Sequence, residues 1–125
     1  MKHIAKFDEL LKMNAKPADH PEVCYRLVFA YGRSINKNAD ALDFDDIVWD
    51  NEVVDIVKGC REEGIERITI SSTFSGLTDL LWEFVKNGCR IVGMKQVPAP
   101  YTEYDHETKE TFFPLIPAVE LVIEG

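Results

Sequence analysis

The stretch ITISSTFSGLTDLLWEFVKNGCRIVGM, residues 68–94, contains the clearest secondary-structure pattern of the chain. Apolar and polar residues alternate at its start, apolar residues then recur at steps of three and four, and a second short apolar run ends it. These periods predict a strand at 67–72, a helix after it and a second strand at 90–95. A strand–helix–strand crossover requires the two strands to run parallel.

The sequence before this stretch predicts three more helices. Apolar residues at helical spacing favour helices at 3–14 and 50–63, and Gly64 is well placed to end the second of them. Residues 22–35 fit either a helix or a strand by composition. We favour a helix because the apolar period continues past Gly32.

The other segments complete a small mixed sheet. Residues 36–46 are predicted to form a polar loop, and LIPAVELVIEG at 115–125 a final antiparallel strand. The prediction is therefore a single α/β domain over residues 1–125. It comprises an N-terminal helical pair at 1–40 and an α-β-α-β-β unit at 50–125. Its sheet has two parallel strands from a β-α-β unit plus the antiparallel C-terminal strand, packed with about four helices.

The charge of the chain argues against nucleic-acid binding. The formal net charge is -8, and residues 41–66 hold nine of the 22 acidic groups but only two of the 14 basic ones. A phosphate backbone would repel such a chain, and no basic stripe offsets the repulsion. No apolar run approaches the ~18 residues that would suggest a membrane span. The N-terminus lacks the apolar core of a secretory signal, so a cytoplasmic location is expected.

Cysteine usage points to reduced thiols. Cys24, Cys60 and Cys89 form no CxxC pair, and each lies in an apolar pattern. An odd number of cysteines at wide spacing favours buried, reduced side chains over a disulfide framework or a zinc site.

The hydroxyl-rich turn SSTFSG is the one candidate ligand site. Ser71, Ser72, Thr73 and Ser75 lie where a strand hands over to a helix, and such places attract anions in α/β sheets. The spacing matches no phosphate-binding or nucleophile motif, however, and Asp79 would repel an anion. We therefore expect a structural role, in which Ser75 or Thr73 caps the helix.

No other motif predicts catalysis, a metal or a cofactor. The run around Asp43, Asp45 and Asp46 lacks the glycine and glutamate of a calcium loop. A bare carboxylate site for magnesium through these three residues is an unspecific alternative, and no stoichiometric divalent-metal site is expected. A solvated loop is favoured there, with a docking face for a basic partner as another interpretation. The three histidines are scattered and form no triad, so no catalytic residue is assigned. Trp49 and Trp82 are expected to pack.

Three segments, DFDDIVWDNEV, ITISSTFSGL and LIPAVELVI, resemble a family of short bacterial proteins known only as a domain of unknown function. The resemblance covers most of the chain after residue 20 and implies a small stand-alone protein without a known activity. The function we expect is that of a non-enzymatic cytoplasmic binding or interaction protein, with an unknown protein partner or a homodimer as its assembly. The alternatives are a small-molecule or anion-binding enzyme that uses the turn at 71–76, and an acidic decoy of a nucleic-acid-binding protein.

Overall fold

Four α-helices pack with a four-stranded mixed sheet and a separate two-stranded hairpin in the computed structural model, which describes residues 1–125. The helices are α1 (Ala5–Met13), α2 (Tyr25–Asn36), α3 (Val53–Glu62) and α4 (Leu77–Lys86). The strands are β1 (Leu42–Phe44), β2 (Arg67–Ile70), β3 (Cys89–Pro98), β4 (Glu103–Asp105), β5 (Glu110–Phe112) and β6 (Leu115–Ile123). Single turns of 3₁₀ helix at Pro17–Asp19 and Asp50–Glu52 precede α2 and α3.

The α/β class and the mixed sheet are confirmed. The strand order is β1-β2-β6-β3, and β4 and β5 form the hairpin. The strands β1 and β2 are parallel neighbours joined through α3, while β6 is antiparallel to both β2 and β3. As predicted, β2 and β3 therefore point the same way, but they do not pair with each other because β6 lies between them.

The parallel partner of β2 is a strand that the sequence pattern did not reveal. Residues 42–44 were predicted to belong to a polar loop, yet they pair with β2 from Leu42 opposite Ile68 to Phe44 opposite Ile70. All three residues of β1 are buried. A strand of three residues is too short to show a period, and Asp43 at its centre made the segment look solvated.

A single hydrophobic cluster of 20 buried residues joins the helices to one face of the sheet. Its largest members come from all parts of the chain: Phe7, Leu27, Tyr31, Phe44, Ile56, Ile70, Phe84 and Leu121. The segment at 22–35 that fitted helix or strand lies mostly in α2, and Leu27, Val28 and Tyr31 on it are buried. Neither tryptophan belongs to the cluster. Trp49 and Trp82 are both exposed, so the prediction that they pack is wrong.

Glycine ends two helices as the sequence predicted. Gly64 follows α3 with a φ of +70°, and Gly88 follows α4 with a φ of +92°. These left-handed conformations are costly for residues that carry a Cβ atom. Each glycine turns the chain directly into the next strand, which places α3 before β2 and α4 before β3.

A polar contact fastens α1 to α2. The hydroxyl of Tyr31 donates to Asp8 at 2.5 Å and accepts from the backbone N–H of Ile4 at 3.3 Å, while His3 Nδ1 lies 3.1 Å from both the hydroxyl and Asp8 Oδ2. The hydrogen bond from Tyr31 lowers the pKa of Asp8, and burial raises the pKa of Tyr31. Both pKa shifts favour an ionised Asp8 and a neutral Tyr31 near neutral pH, which are the charge states that the hydrogen bond requires.

This contact should be sensitive to acid. Because the pKa of Asp8 is lowered on folding, its contribution is present above about pH 4 and is lost as the pH falls through the folded value. The melting temperatures of wild type and Tyr31→Phe should therefore converge when the pH is lowered from about 6 to about 2. Tyr25→Phe is the control, because Tyr25 donates to a backbone carbonyl at Lys16. The difference in melting temperature between Tyr25→Phe and wild type should stay constant over that pH range. A constant difference for Tyr31→Phe as well would refute the role of Asp8.

Candidate functional site

The most unusual feature of the interior is a carboxylate at the centre of β1. Asp43 is fully buried and accepts three side-chain hydrogen bonds. They come from Lys37 Nζ at 2.6 Å, Thr69 Oγ1 at 2.6 Å and Ser71 Oγ at 2.7 Å. The backbone N–H of Asp43 also donates to Ser34 Oγ at 2.9 Å. We call these five residues the Asp43 network.

The fold assembles this network from three separate elements. Lys37 follows directly on the last turn of α2, and Thr69 lies on β2 in register with Asp43. Ser71 follows the carboxyl end of β2, and its backbone N–H donates to the carbonyl of Phe44 at 3.0 Å. The network therefore lies where the carboxyl ends of two parallel strands meet, which is where open α/β sheets commonly bind ligands.

A second carboxylate continues the network towards the surface. Lys37 Nζ lies 3.2 Å from Asp45 Oδ2, and Arg33 Nε lies 2.6 Å from Asp45 Oδ1. The side chains of Lys37 and Asp45 are buried, while that of Arg33 is half exposed. Two cations thus face two carboxylates, and this pairing offsets much of the cost of burying the charges.

The polar groups of the Asp43 network are all paired with one another or with neighbouring groups. Every buried side-chain nitrogen and oxygen has a hydrogen-bond partner in the structure. The Ser71 hydroxyl donates to a carboxylate, is buried, and makes no contact with a histidine. What the geometry provides is a rigid link between α2, β1 and β2, since a fully satisfied buried polar network fixes the positions of its members.

The predicted turn residues separate into two pairs. Ser71 and Ser72 are buried, and Ser71 belongs to the Asp43 network, whereas Thr73 and Ser75 are exposed. The structure therefore does not gather the four hydroxyls into one cradle. The prediction that Ser75 or Thr73 caps α4 is wrong, because Gly76 occupies the N-cap position and no side chain caps the helix.

The acidic run is also divided. Asp43 and Asp45 point inward to Lys37, whereas Asp46 is exposed and accepts a hydrogen bond from the backbone N–H of Ile47. The solvated loop predicted at these residues is therefore wrong for Asp43 and Asp45. An ammonium group lies between these two carboxylates, in the position that a bridging cation would need. The expectation of no metal site at Asp43, Asp45 and Asp46 stays a prediction.

An exposed apolar surface lies where β3 and β6 form a two-stranded ribbon. Residues opposite each other in an antiparallel pair share a face. Leu121 on the core face lies opposite Ile91, Val119 opposite Met94, Pro117 opposite Gln96, and Leu115 opposite Pro98. Ile91, Met94 and Leu115 are 46%, 68% and 59% exposed. The name ribbon face is used below for Ile91, Met94, Leu115, Pro117 and Val119.

The free edge of β3 is less available for pairing than this face. Only β6 pairs with β3, so one edge of a ten-residue strand is open. The register shifts between Ile91 and Gly93, and Pro98 ends the strand. A bulge and a proline are common devices against strand addition at an open edge. An interaction on this side is therefore better served by the ribbon face.

The thiols occupy inert surroundings. Cys60 and Cys89 are buried, Cys24 is half-buried, and all three are free, which confirms the burial predicted for Cys60 and Cys89. Burial raises the pKa of each thiol, to about 12 for Cys60. A raised pKa keeps the reactive thiolate scarce at neutral pH.

Thiol labelling of the native protein should accordingly be slow and ordered. Cys24 is expected to react first, and Cys60 and Cys89 only as the protein unfolds. Mass-resolved labelling with a thiol reagent in native buffer and in denaturant measures this order. Rapid native labelling of Cys60 would contradict the structure.

No helix of the structure combines the length and the apolar character that crossing a membrane requires.

Comparison with known proteins gives a family but no activity. The family described as "Domain of unknown function (DUF7698)" matches residues 26–123, which include α2 from its second residue, the Asp43 network and the ribbon face. No curated protein and no solved structure matches the chain. The match confirms the resemblance to a domain of unknown function that the three sequence segments indicated. The chain belongs to the DUF7698 family.

Proposed function

We propose that this protein is a non-catalytic interaction protein, and that it works through the ribbon face as a homodimer. The observation that carries the proposal is the exposure of Ile91, Met94 and Leu115, spaced along one sheet face. Contiguous exposed apolar surface on a soluble fold commonly marks a protein–protein contact. Burial of such side chains against a partner is favourable by roughly 25 cal/mol per Å².

A second copy of the chain is the partner that this surface fits best. The ribbon face and its cross-strand partners Gln96 and Pro98 include no charged residue, although the whole chain carries a net charge of -8. Two copies can therefore bring this face together without opposing like charges directly. A two-fold axis would pair the same residues from both sides, as in most homodimers.

The alternative functions have less support. An enzyme at the turn 71–76 would need accessible hydroxyls that converge, whereas Ser71 and Ser72 are buried and Thr73 and Ser75 are exposed. An acidic decoy would need a one-sided row of carboxylates, whereas Asp43 and Asp45 are buried against Lys37. We place the interaction protein in the cytoplasm, a location that suits its three unpaired thiols.

Analytical ultracentrifugation over a range of protein concentrations tests the proposal. Wild type should sediment as a dimer at the higher concentrations, and Met94→Lys should shift the equilibrium towards monomer by at least about tenfold. Met13→Lys is the matched control, because Met13 is also exposed, at 57%, but lies on α1. It should associate like wild type. A wild type that stays monomeric at all concentrations, or equal effects of the two substitutions, would rule out the ribbon face as a dimer contact.

A further inference from the structure

Two cavities lie beside the Arg33–Asp45 pair, at the carboxyl end of β1. The first has a volume of about 410 Å³ and includes Phe29 and Ala30 in its lining. The second has a volume of about 330 Å³ and includes Asn36 and Lys37. Both are lined by Arg33 and Asp45, so these two residues stand between them. Each volume falls in the range of small-molecule sites.

The polar side of these cavities carries two cationic side chains, Arg33 and Lys37. Arg33 pairs with Asp45 through Nε, and its two terminal nitrogens make no hydrogen bond in the structure. The ammonium of Lys37 is held between Asp43 and Asp45. The terminal nitrogens of Arg33 are therefore the donors that an acceptor from outside the chain can reach.

The apolar side is supplied by α2. Phe29 is more than half exposed although it lies next to buried core residues, and it shares its cavity with Ala30 and Phe44. Phe29 is one turn before Arg33 on the same helix, so the ring and the guanidinium lie on neighbouring parts of one surface. A ligand with a flat apolar portion can stack on an exposed aromatic ring in this way.

We infer that these cavities form a binding site for a small molecule that carries a carboxylate or a phosphate on a flat apolar group. The oxyanion would accept from the terminal nitrogens of Arg33, and the apolar group would lie against Phe29. Asp46 also lines the first cavity, so the oxyanion is placed in the second cavity, where Asp45 is the only carboxylate in the lining. Arg33 and Lys37 both pair with Asp45. Arginine is well suited to such anions, since its planar group donates two parallel hydrogen bonds.

This site differs from the turn at 71–76, although both lie at the carboxyl edge of the sheet. Ser71 contributes only indirectly, by holding Asp43 in place beside Lys37. The site is also independent of the ribbon face and of self-association, so one proposal can fail while the other stands.

Titration of wild-type protein followed by NMR tests the chemical class. Benzoate and phenyl phosphate are the probes, with inorganic phosphate, benzyl alcohol and benzylamine as comparisons. Benzoate or phenyl phosphate should shift the signals of Phe29 and Arg33 saturably, and whichever binds more tightly identifies the oxyanion. Benzyl alcohol and benzylamine should be at least about tenfold weaker. No saturable shift with either probe, equal binding of benzylamine, or equal binding of inorganic phosphate would overturn the inference.

Two variants locate the site. Arg33→Gln should weaken the binding of the tighter-binding probe by about tenfold or more. Phe29→Ala should weaken the binding of that probe while leaving the binding of inorganic phosphate unaffected. Arg90→Gln is the matched control, because Arg90 also pairs through Nε with a carboxylate, that of Glu124 at 2.7 Å, on an exposed surface far along the sheet. The affinity of Arg90→Gln for the same probe should equal that of wild type. Equal affinity of Arg33→Gln and wild type would overturn the inference even if the probe binds.

Discussion

Replacing Asp43 with alanine is expected to destabilise the protein by about 3–5 kcal/mol, because it removes one partner of a buried ion pair. Lys37 would lose the shorter of its two carboxylate contacts, and the hydroxyls of Thr69 and Ser71 would lose their acceptor. A buried donor without an acceptor costs free energy of its own. Chemical denaturation followed by circular dichroism measures the loss.

Asp46→Ala is the control for this effect. Asp46 lies three residues further along the same acidic run, but it is exposed and contacts only the next backbone N–H. Its removal should change the free energy of unfolding by no more than about 0.5 kcal/mol. If Asp43→Ala lowered the free energy of unfolding no more than Asp46→Ala does, the Asp43 network would not contribute to the stability of the native fold.

Truncation of a core side chain on β6 should have an effect of similar size. Leu121 on β6 is fully buried and lies between Ile68 of β2 and Ile91 of β3. We expect Leu121→Ala to cost about 2–5 kcal/mol, through lost burial and the cavity left behind. Thermal and denaturant unfolding of the variant give this value directly.

Leu115→Ala is a control in the same strand and with the same change of side chain. Leu115 belongs to the exposed ribbon face, so its truncation should change the stability of the monomer by about 0.5 kcal/mol or less. Equal losses of stability at the two positions would mean that the ribbon face is buried in the folded monomer. Measurements below the concentration at which the protein associates keep the two effects apart.

Long periodic segments were the predictable part of the fold. The four helices and the strands before and after α4 follow from apolar spacing, and Gly64 and Gly88 mark helix ends by their chemistry. What the pattern could not supply was the pairing. It correctly gave β2 and β3 the same direction, but it contains no signal that β6 lies between them. Strand order depends on contacts between residues far apart in the chain.

The candidate site was harder to predict for the same reason. Asp43 is held by residues from 34 to 71, and their spacing matches no known motif. A local signal did exist, since Leu42 and Phe44 place apolar side chains on both sides of the aspartate, as in a buried strand. Ser75 was misjudged because Gly76 could take the cap position equally well, and helix ends are the least certain part of such predictions.

The position of β6 between β2 and β3 in the sheet has a consequence for synthesis on the ribosome. The edge of β2 that β6 will occupy, and the inner edge of β3, stay without their partner until β6 begins to leave the exit tunnel at residue 115. At about 5–20 residues per second, the nascent chain holds these open edges for several seconds after β2 emerges. Open strand edges can pair with other chains during that interval. Codon changes that slow translation between β3 and β6 should therefore lower the yield of folded protein without altering its sequence.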